Sequence, residues 1–112
     1  KVIDGDSIVV RMKEGEFEVR YIGIDAPEFD EETFNQALSS KRANQELVEG
    51  REITLFKDVS NTDRYGRLLR YVFLDDIFIN LELVERGWAQ PKSYPPDIAC
   101  QRLLNSAGEK TE

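Results

Sequence analysis

The longest run of helical composition in this chain extends from about Glu31 to Glu49 and stops at Gly50, where a C-terminal cap belongs. Phe34, Ala37 and Leu38 recur within it at helical spacing, and Leu47 and Val48 follow one face further on. What precedes it reads as strand. Ser7-Ile8-Val9-Val10 is rich in β-branched residues, and Lys13-Glu14-Gly15-Glu16 turns the chain back into Phe17–Ile24, so the two segments predict a hairpin. Asp25-Ala26-Pro27-Glu28 breaks the second strand, because Pro27 has no N–H for a ladder and pushes Ala26 towards extended geometry.

Beyond the helix, Arg51–Phe56 alternates as a strand, Asp58–Gly66 is polar loop, and Leu68–Leu74 is strand again. Asp75-Asp76 turns into the short strand Ile77-Phe78-Ile79. Asn80 then stands as the N-cap of a short helix through Arg86, closed by Gly87. Trp88–Pro96 is irregular, and a last helix starts near Asp97 and fades by Gly108. The order β-β-α-β-β-β-α-α defines an α+β chain, mainly β. Five strands and a mid-chain helix are compatible with a five-stranded OB-type Greek-key barrel carrying three helices. Periodicity alone does not separate that barrel from another α+β arrangement.

At 112 residues the chain suits one domain. It begins at Lys1 inside an apparent strand and its terminal helix is cut short near Glu112, so a single domain trimmed at both ends is expected. No apolar run approaches the ~18 residues of a membrane helix, and membrane insertion is not expected. The absence of histidine excludes Ser-His-Asp and Cys-His catalysis and His-ligated zinc. A lone Cys100 excludes an intrachain disulfide and a cysteine metal cluster, and reads as a small core or boundary residue. Carboxylate, arginine and tyrosine chemistry remains, with any metal held by oxygen and therefore hard. The net charge of −7 argues against a simple electrostatic nucleic-acid binder, which would carry a basic face.

Three constellations carry chemistry. In Asp4-Gly5-Asp6, two acids at positions i and i+2 share a strand face and could converge on a cation, or could be a solvated turn. Arg20 is followed at the end of its strand by the two acids of Asp25-Ala26-Pro27-Glu28, which alone could be only a stiffened corner. Asp63-Arg64-Tyr65-Gly66-Arg67 offers two guanidiniums and a stacking ring around a glycine that lets backbone approach closely, or a salt-bridged hairpin edge. Cation-binding acids, guanidinium forks and an acid able to orient water are what hydrolysis of a phosphodiester needs.

Taken together and in this order, Val2–Ser7, Val19–Glu28 and Asp63–Arg67 resemble the staphylococcal nuclease (thermonuclease) family. The likeness continues through Val72-Phe73-Leu74, Ile79–Val84 and Gly87-Trp88-Ala89 and covers most of the chain. It implies an OB barrel with three helices and a calcium-dependent endonuclease that hydrolyses DNA or RNA, single-stranded or frayed, as a monomer. By the same resemblance Asp6, Asp25 and the Ala26 carbonyl would ligate Ca2+, with Asp4 acting through water. Arg20 and Arg67 would grip the phosphate, and Glu28 would serve as general base or orient the attacking water. Arg64 and Tyr65 would meet the terminal phosphate, and Tyr94 falls near the residues flanking base and sugar. The resemblance also suggests a secreted or cell-envelope setting. Ala26 stands where some members carry threonine, and the loop after Glu28 is shorter than in the secreted bacterial archetype. The rival expectation is a non-catalytic module that binds nucleic acid or protein, such as the degenerate nuclease repeats of Tudor-containing scaffold proteins. Those repeats have typically lost some of the acids and arginines that are all present here.

Overall fold

Residues 1–110 are described by a computed structural model. Strand β1 (Val2–Asp4) pairs antiparallel with β2 (Ser7–Met12), with an irregularity between Val2 and Asp4. The two-residue turn Lys13-Glu14 leads into β3 (Gly15–Tyr21), and the ladder runs from Met12 opposite Gly15 to Ser7 opposite Arg20. A short strand, β4 (Ile24–Asp25), follows. The long helix, α1 (Phe34–Val48), starts three residues later than composition predicts. Its beginning is delayed because the Asp30 carboxylate accepts from the N–H groups of Glu32 and Thr33 and from the Thr33 hydroxyl, which holds a turn.

After α1, only β5 (Thr54–Phe56) of the expected strand from Arg51 is formed. β6 (Leu68–Leu74) matches its expected limits, and β7 (Ile77–Phe78) returns through Asp75-Asp76, with Asp75 at φ 52°. Helix α2 (Ile79–Glu85) follows at once, β8 (Gln90–Pro91) pairs with β4, and α3 (Gln101–Lys110) closes the described chain. The expected final helix begins four residues late because Asp97 is engaged elsewhere.

The principal sheet has the order β1-β2-β3-β6-β5, with β7 on the far part of β6. All its ladders are antiparallel except one: β3 and β6 run parallel, pairing Val19 with Leu68, Arg20 with Leu69 and Tyr21 with Arg70. Among the described residues β1 and β5 form no ladder with each other, so the OB-type barrel stays open along that seam. Val19, Ile24, Val72, Ile79, Leu83 and Leu104 lose all or nearly all contact with solvent where the curled sheet meets α2 and α3. Each contributes about 1.5–3 kcal/mol by leaving water. Of the residues at helical spacing in α1, Ala37 is buried, whereas Phe34 is exposed and packs edge-on against Phe29.

Asn80 does not cap α2; Phe78 occupies that position and no side chain caps the helix. The Asn80 amide is fully buried, donates to the Ile22 carbonyl (2.8 Å) and accepts from the Val72 N–H (2.9 Å). A polar residue one position inside a helix start can cap or crosslink, and here β6 and the segment just after β3 lie within its reach.

Asp97 likewise has another task. Its buried carboxylate accepts from the N–H groups of Val59 (3.0 Å) and Ser60 (2.7 Å), fastening the loop before β6. Burial alone would raise this carboxyl, but the hydrogen bonds from Ser60 and Val59 outweigh it and hold the pKa below the ordinary carboxylate value. A depressed folded-state pKa stabilises above the unfolded pKa, and the contribution is lost as pH falls through the folded value. Melting of the protein and of Asp97→Asn across pH should therefore differ most at neutral pH and converge in acid. A constant difference would show that the charge is not what fastens the loop.

Candidate functional site

Between β1 and β2 the chain passes so close to α1 that only glycine fits. A Cβ on Gly5 would collide with the Ser40 hydroxyl and lie 2.7 Å from the Ala26 Cβ. The flanking acids are thereby fixed. The Asp4 carboxylate accepts from the Asp6 N–H (3.0 Å) and the Ser7 hydroxyl (2.7 Å), and its carbonyl accepts from Asn44 of α1 (3.0 Å). Asn44 in turn accepts from the buried Tyr21 hydroxyl (2.7 Å). Asp6 Oδ2 accepts from the Ala26 N–H at 2.7 Å, tying the first acidic motif to the proline-stiffened corner.

Arg20, near the end of β3, reaches into this group. One amino nitrogen donates to the Tyr21 carbonyl (2.7 Å); the other pairs with Asp25 Oδ1 and lies 3.4 Å from Asp6 Oδ2. Tyr94 donates to the same Asp25 oxygen (2.8 Å), and Lys92 Nζ stands 3.9 Å from the other. The opposite wall is the loop before β6. There the Asp63 carboxylate accepts from the N–H groups of Tyr65 (2.9 Å) and Arg67 (3.0 Å) and from Arg67 Nε (2.7 Å). Tyr65 is 68% exposed, with the Arg64 and Arg67 guanidiniums 4.9 and 5.5 Å from its ring centre. Parallel pairing of β3 with β6 brings the two walls together.

All ten residues singled out from the sequence line one cleft of about 760 Å³: Asp4, Asp6, Arg20, Asp25, Ala26, Glu28, Arg64, Tyr65, Arg67 and Tyr94. Two details differ from a simple pair of forks facing a phosphate. The Arg20 fork is turned onto the acids, and Arg67 spends its Nε donor on Asp63. Glu28 is exposed at the rim, where its carbonyl accepts from the Thr33 hydroxyl.

Burial, helped by the adjacent Asp4 carboxyl, pushes the Asp6 carboxyl up to about 7 against the opposing pull of Arg20 and the Ala26 N–H. Asp4 goes the other way: hydrogen bonds from Asp6 and Ser7 and the charge of Arg20 overcome its burial and lower it. Asp63 is also lowered, because its bonds from Arg67 and Tyr65 overcome desolvation. Burial raises the Cys100 thiol, which suits an inert boundary residue. Tyr94 is pushed up to about 12 by burial and by its bond to Asp25.

The donor set can be tested against a bound cation. Asp6 and Asp25 converge on one Arg20 nitrogen, so their oxygens can share a positive charge, and the raised Asp6 shows that Arg20 alone does not offset its burial. Among the described residues no three Asp, Glu, His or Cys side chains form a metal cage. A hard divalent cation fits here only as one held by few protein oxygens and completed by water and ligand.

The sequence reading missed the supports. Asn44 and Ser40 on α1 are buried polar residues in a helix whose face otherwise turns to the sheet. Asp63 carried a signal, since an acid three residues before a glycine often bonds its own loop.

An open OB-type barrel whose mouth gathers acids and arginines from three distant segments belongs to a class built to meet an anionic ligand. Residues 18–111 match the sequence model of the family described as staphylococcal nuclease homologue. The chain belongs to that family. It is 34% identical over its whole length to a thermonuclease of Staphylococcus intermedius and 30% identical to one of Staphylococcus hyicus, covering 68% of each. It is also 32% identical to Endonuclease YncB of Bacillus subtilis, over 80% of this chain and 44% of that protein. Among the described residues no helix is long and apolar enough to cross a membrane.

Proposed function

We propose that this domain is a calcium-dependent endonuclease acting on single-stranded or frayed DNA or RNA. The observation that carries the reading is the cleft itself, which unites six acids and three arginines from separate segments of a nuclease-family chain. A phosphodiester is anionic and has a poor leaving group, so its hydrolysis needs charge neutralisation and an oriented water.

Asp6, Asp25 and the Ala26 carbonyl would hold calcium, with Asp4 positioning its water; the ion would supply Lewis-acid polarisation of a phosphoryl oxygen. Arg67 offers its terminal amino groups to the equatorial oxygens, where negative charge grows in the transition state. Arg20 balances Asp6 and Asp25, and a phosphate entering the cleft competes with these acids for its fork. Glu28 at the rim accepts a proton from, or orients, the attacking water. Arg64 and Tyr65 meet the neighbouring phosphate and base, and Tyr94 flanks the sugar while its hydroxyl fixes Asp25. The six acids lining the cleft outnumber its three arginines by three, and one calcium ion would offset two of those charges, so an acidic protein can still receive a polyanion locally.

The test is degradation of plasmid and single-stranded DNA with calcium, then with a calcium chelator, then with calcium restored. Cleavage should stop with the chelator and return with the ion. Activity undiminished by the chelator would overturn the calcium assignment. Retained oligonucleotide binding with no cleavage under any divalent metal would favour the non-catalytic module.

A further inference from the structure

Trp88 lies outside the cleft yet close to it. In the β4–β8 ribbon Asp25 stands opposite Gln90, and Trp88 lies two residues before Gln90, in the bend that links α2 to β8. Its backbone is fixed at both ends: the N–H donates to the Leu83 carbonyl (2.8 Å), and the carbonyl accepts from the buried Ser40 hydroxyl (2.7 Å). The indole is nevertheless 37% exposed and pairs with no aromatic ring among the described residues.

Trp88 borders two hollows. One, about 290 Å³, shares Asp25 and Ala26 with the cleft and also contains Lys92. The other, about 490 Å³, lies against α1 and is lined by Arg42 and Arg86 with Glu46 as the opposing acid. Arg86 is tied to Glu82 (2.7 Å), whereas Arg42 has no ion pair among the described residues. Trp88 thus stands between Lys92, beside the acids of the cleft, and Arg42 on α1. Arg86 being neutralised by Glu82, Arg42 is the cation this wall can offer a phosphate on a protein of net charge −7.

Resting on the nuclease reading above, we propose that Trp88 is a stacking platform for a base of the single-stranded substrate as it leaves the cleft. Lys92 and Arg42 attend the flanking phosphates. Stacking on an exposed, backbone-anchored ring tolerates any base and so matches a substrate gripped with little sequence preference.

Trp88 is the only tryptophan, so its emission reports directly on the platform. The experiment titrates the protein, in chelator, with an oligothymidylate of about ten nucleotides. Saturable quenching is expected, with weaker binding by Arg42→Glu. In the presence of calcium, Trp88→Ala should raise KM for the oligonucleotide about five- to a hundredfold. It should leave hydrolysis of bis(p-nitrophenyl) phosphate, which is too small to reach the ring, unchanged. Trp88→Phe should keep most of the oligonucleotide affinity. Unmoved emission under saturating oligonucleotide would overturn the platform, as would equal losses on both substrates. Quenching and Arg42 dependence without hydrolysis of either substrate would leave the platform standing and remove the nuclease reading instead.

Discussion

Arg67→Lys is expected to lower turnover by about 10²–10³-fold with little change in KM or melting temperature. Arg67 hangs from the loop before β6 by its Nε bond to Asp63, which leaves the two terminal nitrogens for the cleft. Lysine can still pair with Asp63, but it offers one point charge in place of a planar fork and cannot do both tasks at once. Losing a partly exposed ion pair changes stability by only ~0–1 kcal/mol. The measurement is steady-state kinetics alongside a melting curve. Turnover near that of the unaltered protein would mean Arg67 only braces its loop, and a large fall in melting temperature would say the same.

Asn80→Ala is expected to cost about 2–5 kcal/mol in stability, because it strands two buried groups, each worth about 1–3 kcal/mol when left without a partner. Those groups are the Val72 N–H and the Ile22 carbonyl, and with them go the cross-links between α2, β6 and the end of β3. Denaturant unfolding should show a lower midpoint at an unchanged slope. A loss below about 1 kcal/mol would mean that water enters and replaces the amide.

Asn80 also marks where the sequence stops being legible. Its position before an apolar run suggests a cap, and nothing local reveals that the middle of β6 and the distant Ile22 carbonyl converge on it. Elements defined by their own pattern were readable: β6 lies where its β-branched and aromatic run predicts, and Gly50 and Gly87 end their helices at φ 73° and 79°. Boundaries decided by side-chain competition were not, as the Asp30 turn before α1 and the redirected Asp97 demonstrate. The site divides in the same way. The acids and arginines could be named because their chemistry narrows the choice. That the Arg20 fork turns onto Asp25, and that Asn44 on a helix holds the acidic motif from behind, depends on packing that no spacing encodes.

The parallel ladder between β3 and β6 has a kinetic meaning. Arg20 and Arg67 meet only when that ladder closes, and it joins segments separated by the whole of α1 and β5. Hairpins such as β2–β3 can form early from neighbouring residues, but this contact must first overcome the entropy of a long loop. A chain arrested before that step can hold helices and a hairpin and still lack one wall of its cleft. Recovered catalysis would then be a stopwatch for a distinctly non-local event in folding, started at dilution from denaturant and stopped only when this long loop has shut.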